Sequence, residues 1–130
     1  MIEQTLYIGY VEAVEIHFAL MLYYGETRIG VFDKTLIESA LARPKHTAVY
    51  EKADIIRQAA TLLFGLIKNH PWNGGNKRTA TALTDSFLYR NGYDLVSTDS
   101  NNIELVLAVE SDAWKVDKIE DWLRNRVVKV

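Results

Sequence analysis

Residues 70–80 read His-Pro-Trp-Asn-Gly-Gly-Asn-Lys-Arg-Thr-Ala, which places an imidazole, a glycine pair and two adjacent cations within eleven residues. Histidine titrates nearest neutral pH, so His70 can take a proton from a hydroxyl held within hydrogen-bond reach. Gly74 and Gly75 let the backbone take positive φ and come close to a ligand. If a helix starts just after them, the free N–H groups of its first turn form a site for an anion, and Lys77 and Arg78 add full charges. A base beside a phosphate cradle is the equipment for moving a phosphate-containing group onto a hydroxyl. A plain Gly-Gly turn with a solvated Lys-Arg pair is the alternative.

The flanking residues supply the elements that must hold this loop. Ala53, Ile56, Ala60, Leu63, Phe64 and Ile67 recur at helical spacing and predict a helix over about 50–68. Ala80, Leu83, Phe87 and Leu88 do the same for about 76–91, which ends at Gly92. The loop therefore lies between two helices, with Asn76 a candidate N-cap of the second. Farther out, a first helix is expected over about 8–24, with Val11, Val14, Phe18 and Leu22 facing inward and Gly25 stopping it. A short second helix is expected from the Asp33 cap through Leu36, Ile37, Ala40 and Leu41, ending at Pro44. Residues 93–96 read as a short extended turn, and Ile103 to Val109 as a buried helix. Asp117 and Glu120 read as a capping-box start to a last helix that packs Ile119, Trp122 and Leu123. These elements add up to an all-α compact bundle of about six helices, formed by residues 1–130 as a single domain.

Composition narrows the function. Of 130 residues, 48% are apolar, enough to bury a core in a domain of ordinary size. Fifteen basic against 17 acidic residues leave a net charge of −2, and the cations are scattered, which argues against a nucleic-acid binder. The absence of cysteine excludes disulfides and thiolate metal sites and fits a reducing compartment. His17, His46 and His70 lack the paired spacing of a metal site and read as isolated polar residues; no metal ligand is assigned. Glu12, Glu15 and His17 make the first helix too polar to span a membrane, and no secretory leader is read, so a cytoplasmic protein is expected.

The signature resembles that of the Fic/Doc fold family, His-x-Phe-x-(Asp/Glu)-(Gly/Ala)-Asn-(Gly/Lys)-Arg. His70, Gly75, Asn76, Lys77 and Arg78 match, and Trp72 stands at the Phe position as a core anchor. Lys77 replaces the glycine of the adenylyl-transferring branch, and Thr81 stands where that branch carries a second arginine. Both differences are similar to the Doc branch, the toxins of bacterial toxin–antitoxin pairs. The resemblance extends upstream over 30–44 and downstream through Phe87-Leu-Tyr-Arg-Asn-Gly-Tyr-Asp-Leu.

The resemblance implies a kinase that passes the γ-phosphate of ATP to a threonine of translation elongation factor Tu and so halts translation. It implies His70 as general base, Lys77 and Arg78 as phosphate-gripping catalytic residues, and Asn73, Gly74, Gly75 and Asn76 with them as the phosphate and nucleotide site. It also implies a small antitoxin whose tail folds into an apolar groove, expected between the first helix and residues 42–49. The family's magnesium-holding acid falls at position 74, where this chain has Gly74. Magnesium is usually held by one or two carboxylates together with the phosphates. Another carboxylate serves, the site works without direct ligation, or catalysis is lost. Asn73 offers a neutral oxygen one residue away, while Asp85 lies farther along the helix. The alternatives are a catalytically silent binding module, motivated by Gly74, and an AMP transferase of the Fic type. Gly74→Asp is the variant that would restore the usual acid.

Overall fold

A computed structural model of the protein describes residues 4–130. Six helices and one two-stranded ribbon follow in the order α1 (Tyr10–Tyr23), α2 (Lys34–Glu51), α3 (Ile55–Asn69), α4 (Asn76–Arg90), β1 (Tyr93–Leu95), α5 (Asp99–Glu110), α6 (Val116–Arg124) and β2 (Val127–Lys129). The expected all-α bundle is the observed architecture. Its centre is α3, which packs against α2, α4, α5 and α6 and buries Ala59, Ala60, Leu62, Leu63, Leu66 and Ile67. A helix apolar on nearly every side is stable only when surrounded. Because α3 and α4 are both locked into this core, the loop between them is held at each end.

Local chemistry sets several boundaries. Asp33 caps α2 through Leu36 N–H at 3.2 Å, and Asp54 caps α3 through Arg57 N–H at 2.9 Å. The helix leading into the signature therefore starts at Ile55, later than the apolar spacing indicates. Residues 50 and 51 belong instead to α2, because Pro44 does not end that helix. Proline removes one helical donor, yet Pro44 is buried where α2 packs on α3, and tertiary contact outweighs the missing bond. The helix runs on to Lys52, whose left-handed backbone (φ 54°) terminates it.

On α1 the inward stripe is Ala13, His17 and Met21, all fully buried. Val14 packs at its margin, whereas Val11, Phe18 and Leu22 are exposed, contrary to the sequence reading. Apolar residues occupy every side of α1, so periodicity alone leaves its orientation open; the polar partners of His17 settle it. On α5, Thr98 and Asn101 form a reciprocal capping box, and Leu105, Val106 and Val109 are buried while Ile103 and Leu107 face out. In α6, Ile119, Trp122 and Leu123 are buried as expected, but the N-cap is Lys115. Asp117 and Glu120 both turn to Arg57 on α3 instead of closing a capping box. The expected extended turn is β1, which pairs antiparallel with β2 in the register Tyr93 to Lys129 and Leu95 to Val127. Among the described residues no helix is long and apolar enough to cross a membrane.

Candidate functional site

The signature loop is clamped from both sides. His70 is the C-cap of α3 in a left-handed conformation (φ 46°, ψ 56°), which turns the chain sharply out of the helix. Residues 29–33 then run alongside. Phe32 and Asp33 N–H both donate to the Pro71 carbonyl, Asn73 N–H donates to the Gly30 carbonyl, and the Asn73 amide reaches the Ile29 carbonyl at 3.3 Å. Asn73 is thus engaged in holding the loop. Asn76 does the same from the other end: its side-chain oxygen accepts from Trp72 N–H at 2.9 Å and its NH2 donates to the Trp72 carbonyl at 3.0 Å. Asn76 is the first residue of α4, and the N-cap is Gly75. The expected Asn76 cap is replaced by this two-bond brace across the loop.

Each glycine has its own reason. Gly75 sits at φ 64° with Met21 against the place a Cβ would occupy. Gly74 faces the backbone of Arg28; a Cβ there would lie 2.5 Å from the Arg28 carbonyl oxygen. Real Cβ atoms do not approach backbone oxygen that closely, so the position that carries an acid in the resembling family is closed to any side chain in this loop. The first intrahelical bond of α4 joins Thr79 N–H to the Gly75 carbonyl. The preceding amides therefore have no intrahelical partner and present the positive end of the helix.

Beneath the loop, Trp72 is 2% exposed and stacks on His17 with ring centroids 4.2 Å apart and planes 12° from parallel. Gly30 N–H donates to His17 Nε2 at 3.0 Å, so Nε2 carries the lone pair. The proton is then on Nδ1, 2.9 Å from Thr79 Oγ1. Burial pushes the His17 pKa down, which keeps the ring neutral. One side chain thereby joins α1, the 29–33 segment, the loop and α4. Its isolated reading from sequence is corrected: His17 is structural support for the site.

His70, the two glycines, Lys77 and Arg78 border one open pocket of about 570 Å³, together with Arg28 and Glu26. Lys77 Nζ is 3.1 Å from Glu110 Oε1, and His70 Nε2 is 3.2 Å from Glu110 Oε2. Arg78 is 3.0 Å from Glu26 Oε1 and lies over the Tyr24 ring at 4.0 Å. The pocket thus combines an imidazole, oriented amides and three cationic side chains. Glu26, Arg28 and Glu110 escape the sequence reading because they come from the turn after α1 and from the end of α5, with no local pattern linking them to the signature.

The magnesium ion of the resembling family does not fit these residues as a protein-held group. Position 74 is closed, Glu26 is engaged by Arg78, and both Glu110 oxygens are engaged by His70 and Lys77. No group of three or more His, Cys, Asp or Glu residues among those described could hold a metal ion. Asp85 lies outside this pocket, in a second groove of about 580 Å³ between the end of α1, α4 and α5. Partial desolvation, with the like charge of Asp94, pushes its carboxyl upward. That groove, lined by Leu20, Tyr24, Ile103 and Leu107 among others, also borders Lys77 and Arg78. This groove is an open, partly apolar surface directly beside the site.

The Fic/DOC family model matches residues 7–88, which span α1 through most of α4 and include the whole clamped loop. The chain belongs to the Fic/DOC family. It is 39% identical over 71 residues to Toxin Doc of Mycolicibacterium smegmatis, covering 53% of this chain and 55% of that one. It is 29% identical over 116 residues to Protein kinase doc of Escherichia phage P1, covering 88% of this chain and 90% of that one. The chain thus spans about half the length of the first relative and nine-tenths of the second. Both relatives place it in the Doc branch of the family.

Proposed function

We propose that the protein is a Doc-type toxin that transfers the γ-phosphate of ATP to a hydroxyl of a target protein, with a threonine of elongation factor Tu as the first target. The observation that carries this reading is the convergence of His70, the amides at the start of α4, Lys77 and Arg78 on one pocket in a Doc-branch chain. The triphosphate lies against the helix start, with Lys77 as a point charge and Arg78 as a planar fork. The target oxygen attacks the γ-phosphorus while the bond to the β-phosphate oxygen breaks and ADP leaves. His70 receives the hydroxyl proton. Holding base and donor on two core helices removes most of the entropy of alignment, and the cations offset charge on the phosphoryl oxygens. An antitoxin tail folding into the apolar groove beside Lys77 and Arg78 would silence the site.

A silent binding module is the second reading, favoured by the missing acid at position 74 and by the carboxylates already paired with Lys77 and Arg78. AMP transfer is weaker, because Thr81 supplies no cation and folds its hydroxyl back onto the Lys77 and Arg78 carbonyls. Incubating the protein with elongation factor Tu, magnesium and ATP labelled at either the γ or the α phosphate, with His70→Ala as control, separates the three. Label from γ alone, lost in the control, is the expected result. Label from α would mean nucleotidyl transfer, and no label would leave the binding module.

A further inference from the structure

Among the described residues Glu110 is the one carboxylate that touches the signature's base, and the reaction just described gives it no task. It is the last residue of α5, 26% exposed at the side chain, and it contacts His70 with one oxygen and Lys77 with the other. An ionised carboxylate only accepts hydrogen bonds, and so does a ring nitrogen that bears a lone pair. The 3.2 Å contact therefore requires the proton on His70 Nε2, which leaves the lone pair of the neutral ring on Nδ1.

We propose that Glu110, reaching in from the end of α5, is the positioning residue of this site. It holds the His70 ring in the Nε2–H form, and the Nδ1 lone pair takes the proton of the attacking hydroxyl. It then stands against the imidazolium so formed, the arrangement by which a carboxylate supports a histidine base elsewhere. Its second oxygen tethers the Lys77 ammonium at the edge of the phosphate pocket, so one side chain sets the spacing between base and cation. The role of Glu110 in turnover rests on the phosphotransfer reading; the tautomer of His70 does not.

The test pairs two measurements on the wild type, Glu110→Gln and Glu110→Ala. The first is the ¹⁵N spectrum of the histidine side chains at about pH 8, where an ordinary imidazole is neutral. His70 is assigned with His70→Ala, and His17, whose contacts demand the Nδ1–H form, is the internal reference for the opposite tautomer. We expect fixed Nε2–H shifts for His70 in the wild type, with its two nitrogen shifts moving toward each other in Glu110→Ala. An Nδ1–H form in the wild type, or identical spectra in the variant, would overturn the proposal. The second measurement is steady-state label transfer. We expect kcat to fall about tenfold or more in Glu110→Ala while KM for ATP stays within about twofold, with a smaller loss in Glu110→Gln, whose amide oxygen still accepts from Nε2. A rise in kcat would also overturn it, by making Glu110 a block on the site. If the wild type transfers no label, the phosphotransfer reading fails by itself, and the spectrum still decides whether Glu110 fixes the ring.

Discussion

Gly74 is the residue at which family pattern and local structure part company. Putting back an acid looks from sequence like a repair, but the Arg28 carbonyl occupies the space a Cβ needs. Gly74→Asp is expected to cost about 1–3 kcal/mol by overpacking and to yield no gain in label transfer. Urea denaturation and the γ-label assay would show it, and a more active, equally stable variant would refute the argument. Trp72 makes the converse case. Its indole N–H is buried with no partner among the described residues, a cost that the family's Phe avoids. Trp72→Phe trades some packing for the removal of that orphan and should stay within about 1 kcal/mol of the parent, whereas Trp72→Ala should lose about 3–5 kcal/mol. Thermal melting of the pair distinguishes them.

At the scale of elements, the entry into the site depends on how α3 begins and what anchors it. Burial alone would push the Asp54 carboxyl up, but the Arg57 N–H, the Arg124 guanidinium and the Ile56 N–H hold it below its ordinary value. A depressed carboxylate pKa means the unfolded chain binds the proton more tightly. The stabilisation is therefore complete above the ordinary pKa of 3.8 and is lost as pH falls through the folded value. Asp54→Ala should cost about 1–2 kcal/mol near neutrality, mostly through the lost cap, since the Arg124 pair is half exposed and screened. The difference from the parent should shrink in denaturation curves taken below about pH 4. Other elements show where reading from sequence succeeds. The Asp33 cap acts within three residues and the stripe of α4 is unambiguous, whereas Asp54 and Thr98, which cap through equally short-range bonds, escape a reading based on apolar spacing. Pro44 misleads because the packing of α2 on α3 is invisible to a local rule.

For the molecule as a whole, His17 is the tie that makes the signature loop part of the core. Its folded pKa lies below the ordinary 6.5, so the folded state binds fewer protons than the unfolded one. Stability from this group is full above about pH 6.5 and falls as pH drops toward the lowered folded value, a window above that of Asp54. His17→Phe should flatten that limb while costing about 1–3 kcal/mol at neutral pH, because it leaves Gly30 N–H buried without an acceptor. Guanidinium titrations across pH 5 to 8, approximately the range of histidine switching, would show both effects.

The contiguous residues His70 to Arg78 determined by themselves that a base, a glycine turn and two cations would meet, because a six-residue loop and the three helical residues that follow it stay together in any packing. Helix content, the Asp33 cap and the buried face of α4 were equally local. Tertiary structure alone decided that Glu110, 40 residues from His70, would face it, and that Glu26, 52 residues from Arg78, would hold that guanidinium. It also decided which side of the all-round apolar α1 is buried. Such choices depend on which polar groups find partners once the helices pack, and no periodicity in the chain records them.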